Sequence, residues 1–287
     1  MTSADASGGK GLADGLGPRL LVTLVFVPCL WIITRRGDLH FLVVVCIMVL
    51  TGLYEFYRLM EHKGFRPVKV IGIGCGIAIT AYAYFRTGIY GNFLLAGALV
   101  LLMTAELVRR SVEQAVVHIS ITIFGVLYVG WLGSHLVLLR ELPRLAGLDY
   151  HLGADFVYLV VFLTWSCDSG AYLIGRAFGR TPLYPSVSPK KSREGAVGGV
   201  AFALIAAWLS HRTFAAGFLD LESALWLGLI AAVAGQTGDL VESLMKRDVH
   251  VKDSASLLPG HGGALDRFDS LFFSAPLLYY ALKFFVI

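Results

Sequence analysis

The sequence predicts an all-α fold, a polytopic integral membrane bundle of about nine transmembrane helices, on three observations. The mean hydropathy is +0.71. Only 15% of the 287 residues are charged, against roughly 25% in soluble domains. Apolar runs near the ~20 residues that cross a bilayer recur from Leu20 almost to Ile287. These runs lack the alternation of barrel strands, so helices must satisfy the backbone polar groups in lipid.

In chain order, residues 1–19 open with a Gly-, Ala-, Ser- and Asp-rich stretch without apolar periodicity, read as a disordered cytoplasmic tail. The first span, Leu20 to Ile33, is short. No small-residue cleavage site follows Trp31, so an uncleaved helix is preferred to a signal peptide. Leu39 to Tyr57, Val68 to Phe85, Phe93 to Val108 and Val116 to Leu139 complete a scaffold over 20–153. In it Glu55, Glu106 and His118 are isolated, and interfacial or helix–helix hydrogen-bonding roles are preferred to a transport pathway. The glycines of Ile71 to Ile79 follow no soluble strand and read as close helix packing rather than a dinucleotide loop. Phe156 to Gly175, Gly195 to Ser210, Ala224 to Met245 and Phe268 to Ile287 form a second region, 154–287, where the polar residues concentrate. That asymmetry argues against a transporter built from inverted repeats.

Sixteen of the 24 Lys and Arg residues fall in the tail and in the connections after the second, fourth, sixth and eighth spans, and Lys69, at the very start of the third span, adds a seventeenth on that side. By the positive-inside rule these segments face the cytoplasm, with the plasma (inner) membrane of a bacterium the expected location. The formal charge of +4 suits anionic lipid headgroups, and no nucleic-acid partner is expected. Cys29, Cys46, Cys75 and Cys167 show no CxxC spacing and read as packing residues.

Three clusters bear chemistry, all on the expected cytoplasmic side. In Trp165 to Arg180, helical spacing puts Trp165, Asp168, Tyr172 and Gly175 on one face, while Ala171, Gly175 and Gly179 repeat every four residues. A pairing of Asp168 with Arg176 is the structural alternative. In Ser186 to Gly199, Pro189 stops any preceding helix, Lys190 and Lys191 offer charge to phosphates, and Ser192 and Glu194 can begin the next helix, whose N-terminus attracts anions. In the third, Gln236, Asp239, Ser243 and Lys246 form a polar stripe at helical steps. Arg247, Lys252, Asp253, His261, Asp266, Arg267 and Asp269 follow, with Gly262 and Gly263 permitting close backbone approach. Carboxylates interleaved with Lys and Arg are the donor set for Mg²⁺ and phosphates, which points to metal-assisted phosphoryl or nucleotidyl transfer. No HExxH, Walker A or GxSxG motif occurs.

The run Ser243-x-x-Lys246-Arg247-x4-Lys252-Asp253-x5-Pro259-Gly260-His261-Gly262-Gly263-x-x-Asp266-Arg267-x-Asp269 resembles the signature of phosphatidate cytidylyltransferases, the CDP-diacylglycerol synthases. Asp168-x-x-Ala171-Tyr172-x-x-Gly175-Arg176-x-x-Gly179 and Ser188-Pro189-Lys190-Lys191-Ser192-x-Glu194-Gly195 resemble that family's upstream motifs, with Ser192 where Thr is expected. The resemblance covers the C-terminal half by motif, and the whole chain only by its pattern of spans.

The resemblance implies cytidylyl transfer from CTP to phosphatidate drawn from the inner leaflet, giving CDP-diacylglycerol and pyrophosphate. Mg²⁺ is the implied cofactor, with room for a monovalent cation such as K⁺. On that reading Asp239 and Asp266 bind metal, supported by Asp269 or Asp168. Lys190, Lys191, Lys246, Arg247, Lys252 and Arg267 bind phosphates, Lys252 counting also with the catalytic residues. Ser188, Ser192, Glu194, Ser243, Asp253, Gly262 and Gly263 complete the substrate contacts. His261 closes the loop on nucleotide or pyrophosphate, a role preferred to proton transfer because most phosphate-monoester protons are already gone at pH 7. Two rivals stay open: a CTP-dependent polyprenol or lipid-alcohol kinase, which would release CDP, and an ion-coupled transporter using Asp168, Asp239 and Glu242. Small-residue helix faces allow a homodimer.

Overall fold

The computed structural model describes residues 27–85, 90–109, 112–251 and 263–287. Residues 27–36 are helical (α1). There follow α2 (Asp38–Glu61), α3 (Lys69–Phe85), α4 (Tyr90–Val108) and α5 (Ala115–Gly125), which continues through a π-helical turn (Val126–Trp131) into α6 (Leu132–Ala146). Next come α7 (Leu152–Phe178), a hairpin of β1 (Pro182–Tyr184) and β2 (Ser188–Ser192), α8 (Arg193–Arg212), α9 (Leu221–Asp248) and α10 (Leu265–Phe285). The chain is an all-α polytopic membrane protein. Six described segments are long and apolar enough to cross a bilayer, and α3 is a shorter apolar helix. The tail expected to be disordered and the start of the first span lie outside the described residues. All four cysteines are free.

The core runs between α2, α6, α7 and α10, where Val49, Leu53, Leu139, Leu159, Leu163 and Leu282 are fully buried. Side-chain bonds between connections sort them into two groups. On one side Lys63 after α2 pairs with Asp248 ending α9 at 2.6 Å, and Arg109 after α4 donates to the Arg66 carbonyl at 2.6 Å. On the other, Arg144 pairs with Asp38 at 3.0 Å and Arg35 with Asp155 at 3.1 Å. Connections that alternate along the chain thus gather at opposite ends, as successive crossings require.

The second end is tied by Arg140, whose side chain is fully buried. Its guanidinium donates to the carbonyls of Thr34, Arg35 and Tyr150 and lies 4.1 Å from the Tyr150 ring centroid. It therefore satisfies carbonyls left open where α1 ends. Gly37 makes room for it: φ is +69°, and a Cβ there would run into the guanidinium. Tyr150, which donates to Glu141 Oε1 at 2.7 Å, has its hydroxyl pushed up to about 12, first by burial.

In the scaffold, Glu106 of α4 bonds His118 of α5 at 2.9 Å, both buried, so these residues tie two helices together. The glycines of α3 pack closely: Gly72 lies against Tyr57 and Gly76 against Gly130 of the π turn.

Candidate active site

The site begins on α9. Asp239, Glu242 and Lys246 step by three and four residues and so share a face. Glu242 is 1% exposed, and its Oε2 lies 2.7 Å from Lys246 Nζ. From α10, Asp269, 7% exposed, brings a third carboxylate. Oxygens of Asp239, Glu242 and Asp269 all lie within 4.8 Å of one another.

Three carboxylates at that spacing, two of them buried, repel strongly in a low-dielectric setting. Glu242 Oε1 is buried without a hydrogen-bond partner among the described residues. An all-oxygen set with an unsatisfied buried acceptor matches the chemistry of a hard divalent cation, and the residues fit one.

Flanking cations come from two directions. Lys191 on β2 places Nζ 2.6 Å from Asp239 Oδ2, a close ion pair without hydrogen-bond alignment. Lys246 bridges Glu242 to Asp266, 3.1 Å away. Arg247 Nε donates to the Val187 carbonyl at 3.2 Å and so ties the end of α9 to the hairpin.

The helices around the trio are held by polar contacts. Both Glu55 oxygens, on α2, accept from the start of α10: Ala264 N at 2.9 Å and Leu265 N at 2.8 Å. A buried side chain of another helix thus satisfies two donors that every helix start leaves open, and α10 is anchored one turn before Asp269. Gln236 of α9 donates to Cys167 Sγ of α7 and to the Ala196 carbonyl of α8. Between α7 and α10, Thr164 donates to Ser274 Oγ at 2.9 Å, and Ser270 Oγ donates to Asp168 Oδ1 at 3.4 Å.

The expected site residues separate into groups. Asp239, Asp269, Lys191 and Lys246 come together, with Asp168 behind them through Ser270. Arg176 bonds the Tyr172 hydroxyl, leaving Asp168 outside the pairing considered from sequence. Asp266 stands outside the trio, engaged with Lys246 and with the Gly263 N–H at 3.4 Å. The physical reason is the level of contact: both carboxylates of α10 face α9, but Asp266, nearly one turn earlier than Asp269, meets it at Lys246, one turn beyond Glu242. Glu242 fills the third corner instead. Its signal was the Asp239-x-x-Glu242-x-x-x-Lys246 spacing, passed over in favour of the stripe through Ser243, which is half-buried on α9.

Ser192 and Glu194 do structural work. Ser192 Oγ accepts from Gly195 N at 3.1 Å as the N-cap of α8, and Glu194 accepts from the Arg180 and Thr181 amides. The connection from α7 to α8, where the sequence suggested no strand, is a hairpin, Pro182 pairing with Ser192 and Tyr184 with Ser188. It exposes Lys190 and turns Lys191 inward to Asp239. Arg267 is exposed on the first turn of α10. Lys252, Asp253, His261 and Gly262 lie outside the described residues.

Residues 18–285 match the model of the Cytidylyltransferase family. Among curated relatives, a phosphatidate cytidylyltransferase of Bacillus subtilis is 31% identical over 252 residues, 87% of this chain and 91% of the relative. One from Synechocystis is 31% identical over 283 residues, 91% of this chain and 94% of the relative. The chloroplastic phosphatidate cytidylyltransferase 4 of Arabidopsis thaliana is 32% identical over 297 residues, 96% of this chain and 73% of the relative.

Proposed function

The chain belongs to the cytidylyltransferase family, and from that premise we propose that it converts CTP and phosphatidate to CDP-diacylglycerol and pyrophosphate within the membrane. The observation that carries the reading is the convergence of Asp239, Glu242 and Asp269 beside Lys191 and Lys246. Beside relatives that bear this activity in their names, such a site suits a reaction between a nucleoside triphosphate and a phosphate monoester.

The reaction needs no nucleophile from the protein. A phosphate oxygen of phosphatidate forms the new bond to the α-phosphorus of CTP, and the bond from that phosphorus to the β-phosphate breaks, releasing pyrophosphate. The protein aligns the two partners, screens their repulsion and neutralises charge as the leaving group departs. Asp239, Glu242 and Asp269 would hold Mg²⁺, which supplies charge neutralisation across phosphate oxygens when bound. Lys191 and Lys246 sit where they can exchange carboxylate partners for phosphates, Lys190 and Arg267 offer exposed charge at the rim, and Asp168 supports the trio from α7.

CTP enters from the cytoplasm, and phosphatidate slides in from the inner leaflet of the bacterial plasma membrane. Lys252 would bind phosphates and His261 the nucleotide or pyrophosphate, both as the family motif implies and both outside the described residues. A second, monovalent cation such as K⁺ and assembly as a homodimer complete the proposal.

The test is product identity. Purified protein receives CTP labelled in its cytidine, phosphatidate and Mg²⁺. The expected result is label in the lipid phase with one pyrophosphate released per lipid labelled. Free labelled CDP with phosphate transferred to a lipid alcohol would replace this reading with the kinase one.

A further inference from the structure

Tyr128 borders the acidic site without a partner of its own. It stands on the π-helical turn Val126–Trp131, which interrupts the α5–α6 helix. Such turns add a residue to the helical repeat, re-aim side chains and recur at functional sites. The ring is fixed by four neighbours: Phe56 of α2, Phe124 of α5, and Phe272 and Phe273 of α10, with centroids 5.7 to 6.3 Å away.

Tyr128 is 4% exposed, and its hydroxyl has no hydrogen-bond partner among the described residues. A buried hydroxyl left so is destabilising, and phenylalanine would fill the same aromatic surround without that cost. Geometry sets it beside the acidic trio: Phe272 and Phe273 follow Asp269 on α10, and Phe273 packs against Gly238, next to Asp239 on α9. Lys191 Nζ and Glu242 Oε1 are likewise buried without hydrogen-bond partners. Two donors and an acceptor thus border one site, each with bonding capacity unused.

We propose that Tyr128 is a ligand-positioning residue whose hydroxyl donates to an oxygen brought into the acidic site, carried by the nucleotide's phosphates or by the water shell of the bound cation. The proposal rests on the reading that this site takes a divalent cation and CTP. Because the π turn and the four rings fix the phenol before anything binds, little freedom is lost in making that bond.

Tyr128→Phe tests it, removing one oxygen and nothing else. Three quantities are compared with the parent protein in detergent: Mn²⁺ affinity without nucleotide, read by electron paramagnetic resonance; CTP affinity with Mg²⁺, read by equilibrium dialysis; and the melting temperature without ligands. The expected result is an unchanged or higher melting temperature with a roughly ten-fold loss of affinity. A loss already seen for Mn²⁺ alone assigns the acceptor to the cation's water, and a loss confined to CTP assigns it to a phosphate.

Affinities within two-fold of the parent overturn the proposal. So does a loss accompanied by a lower melting temperature, which marks a packing defect. A parent protein that binds neither Mn²⁺ nor CTP would overturn the cation-and-nucleotide reading itself, and this inference with it.

Discussion

Glu55 fixes where α10 begins. Its two oxygens accept from consecutive amides at that helix start, and the side chain is fully buried. Glu55→Gln keeps one acceptor and turns an N–H donor toward another N–H donor. It should lower stability by about 1 to 3 kcal/mol, read by thermal unfolding in detergent, and reduce transfer because Asp269 lies on the first turns that Glu55 anchors. A variant as stable as the parent would remove Glu55 from this role. From sequence Glu55 is an isolated polar residue in an apolar span, and its partner, over 200 positions away, leaves no local trace. Asp239, Asp269, Lys191 and Lys246 were legible because charge inside an apolar chain is rare and their motifs are distinctive. Glu242 stands where Asp266 was expected for a geometric reason: spacing along one helix says which residues share a face, but the level at which α10 meets α9 decides which carboxylate completes the trio.

Among the elements, α7 and α8 approach closely at the site. The expected small-residue stripe of α7 meets the first turn of α8, and a Cβ on Gly195 would strike the Ala171 carbonyl and crowd Gly175 Cα. Backbone cannot swing aside as a side chain can, so Gly195→Ala should push α8 away and cost about 1 to 3 kcal/mol. Lys191 immediately precedes the Ser192 cap of α8, so its pairing with Asp239 should loosen as well. Thermal unfolding with a CTP titration checks both effects, and a variant matching the parent in both would refute the close-packing account. The long helices were readable because each apolar run is near the length of a bilayer crossing. The hairpin was not, since Ser188 to Ser192 is polar at most positions and lacks the apolar alternation of a half-buried strand. The π turn is equally silent in sequence, as its residues are apolar like their neighbours.

At the scale of the whole molecule, alternate connections gather at opposite ends, and the acidic site lies within the bundle rather than on its surface. Asp239 is nine residues from the end of α9 and Asp168 ten from the end of α7, about 14 to 15 Å along each axis. That depth suits the proposed reaction of a water-soluble nucleotide with a lipid, since the lipid need not leave the bilayer to reach the site.

Asp239 is the carboxylate shared by the acidic trio and the Lys191 pair, so its neutralisation tests the central claim most directly. Asp239→Asn, purified and shown to melt like the parent protein, is titrated with Mg²⁺ while lipid-linked cytidine is measured. The account predicts a loss of at least about 100-fold at every Mg²⁺ concentration, larger than losses typical of groups that only support a metal's ligands. Turnover within ten-fold of the parent at saturating Mg²⁺ would contradict it.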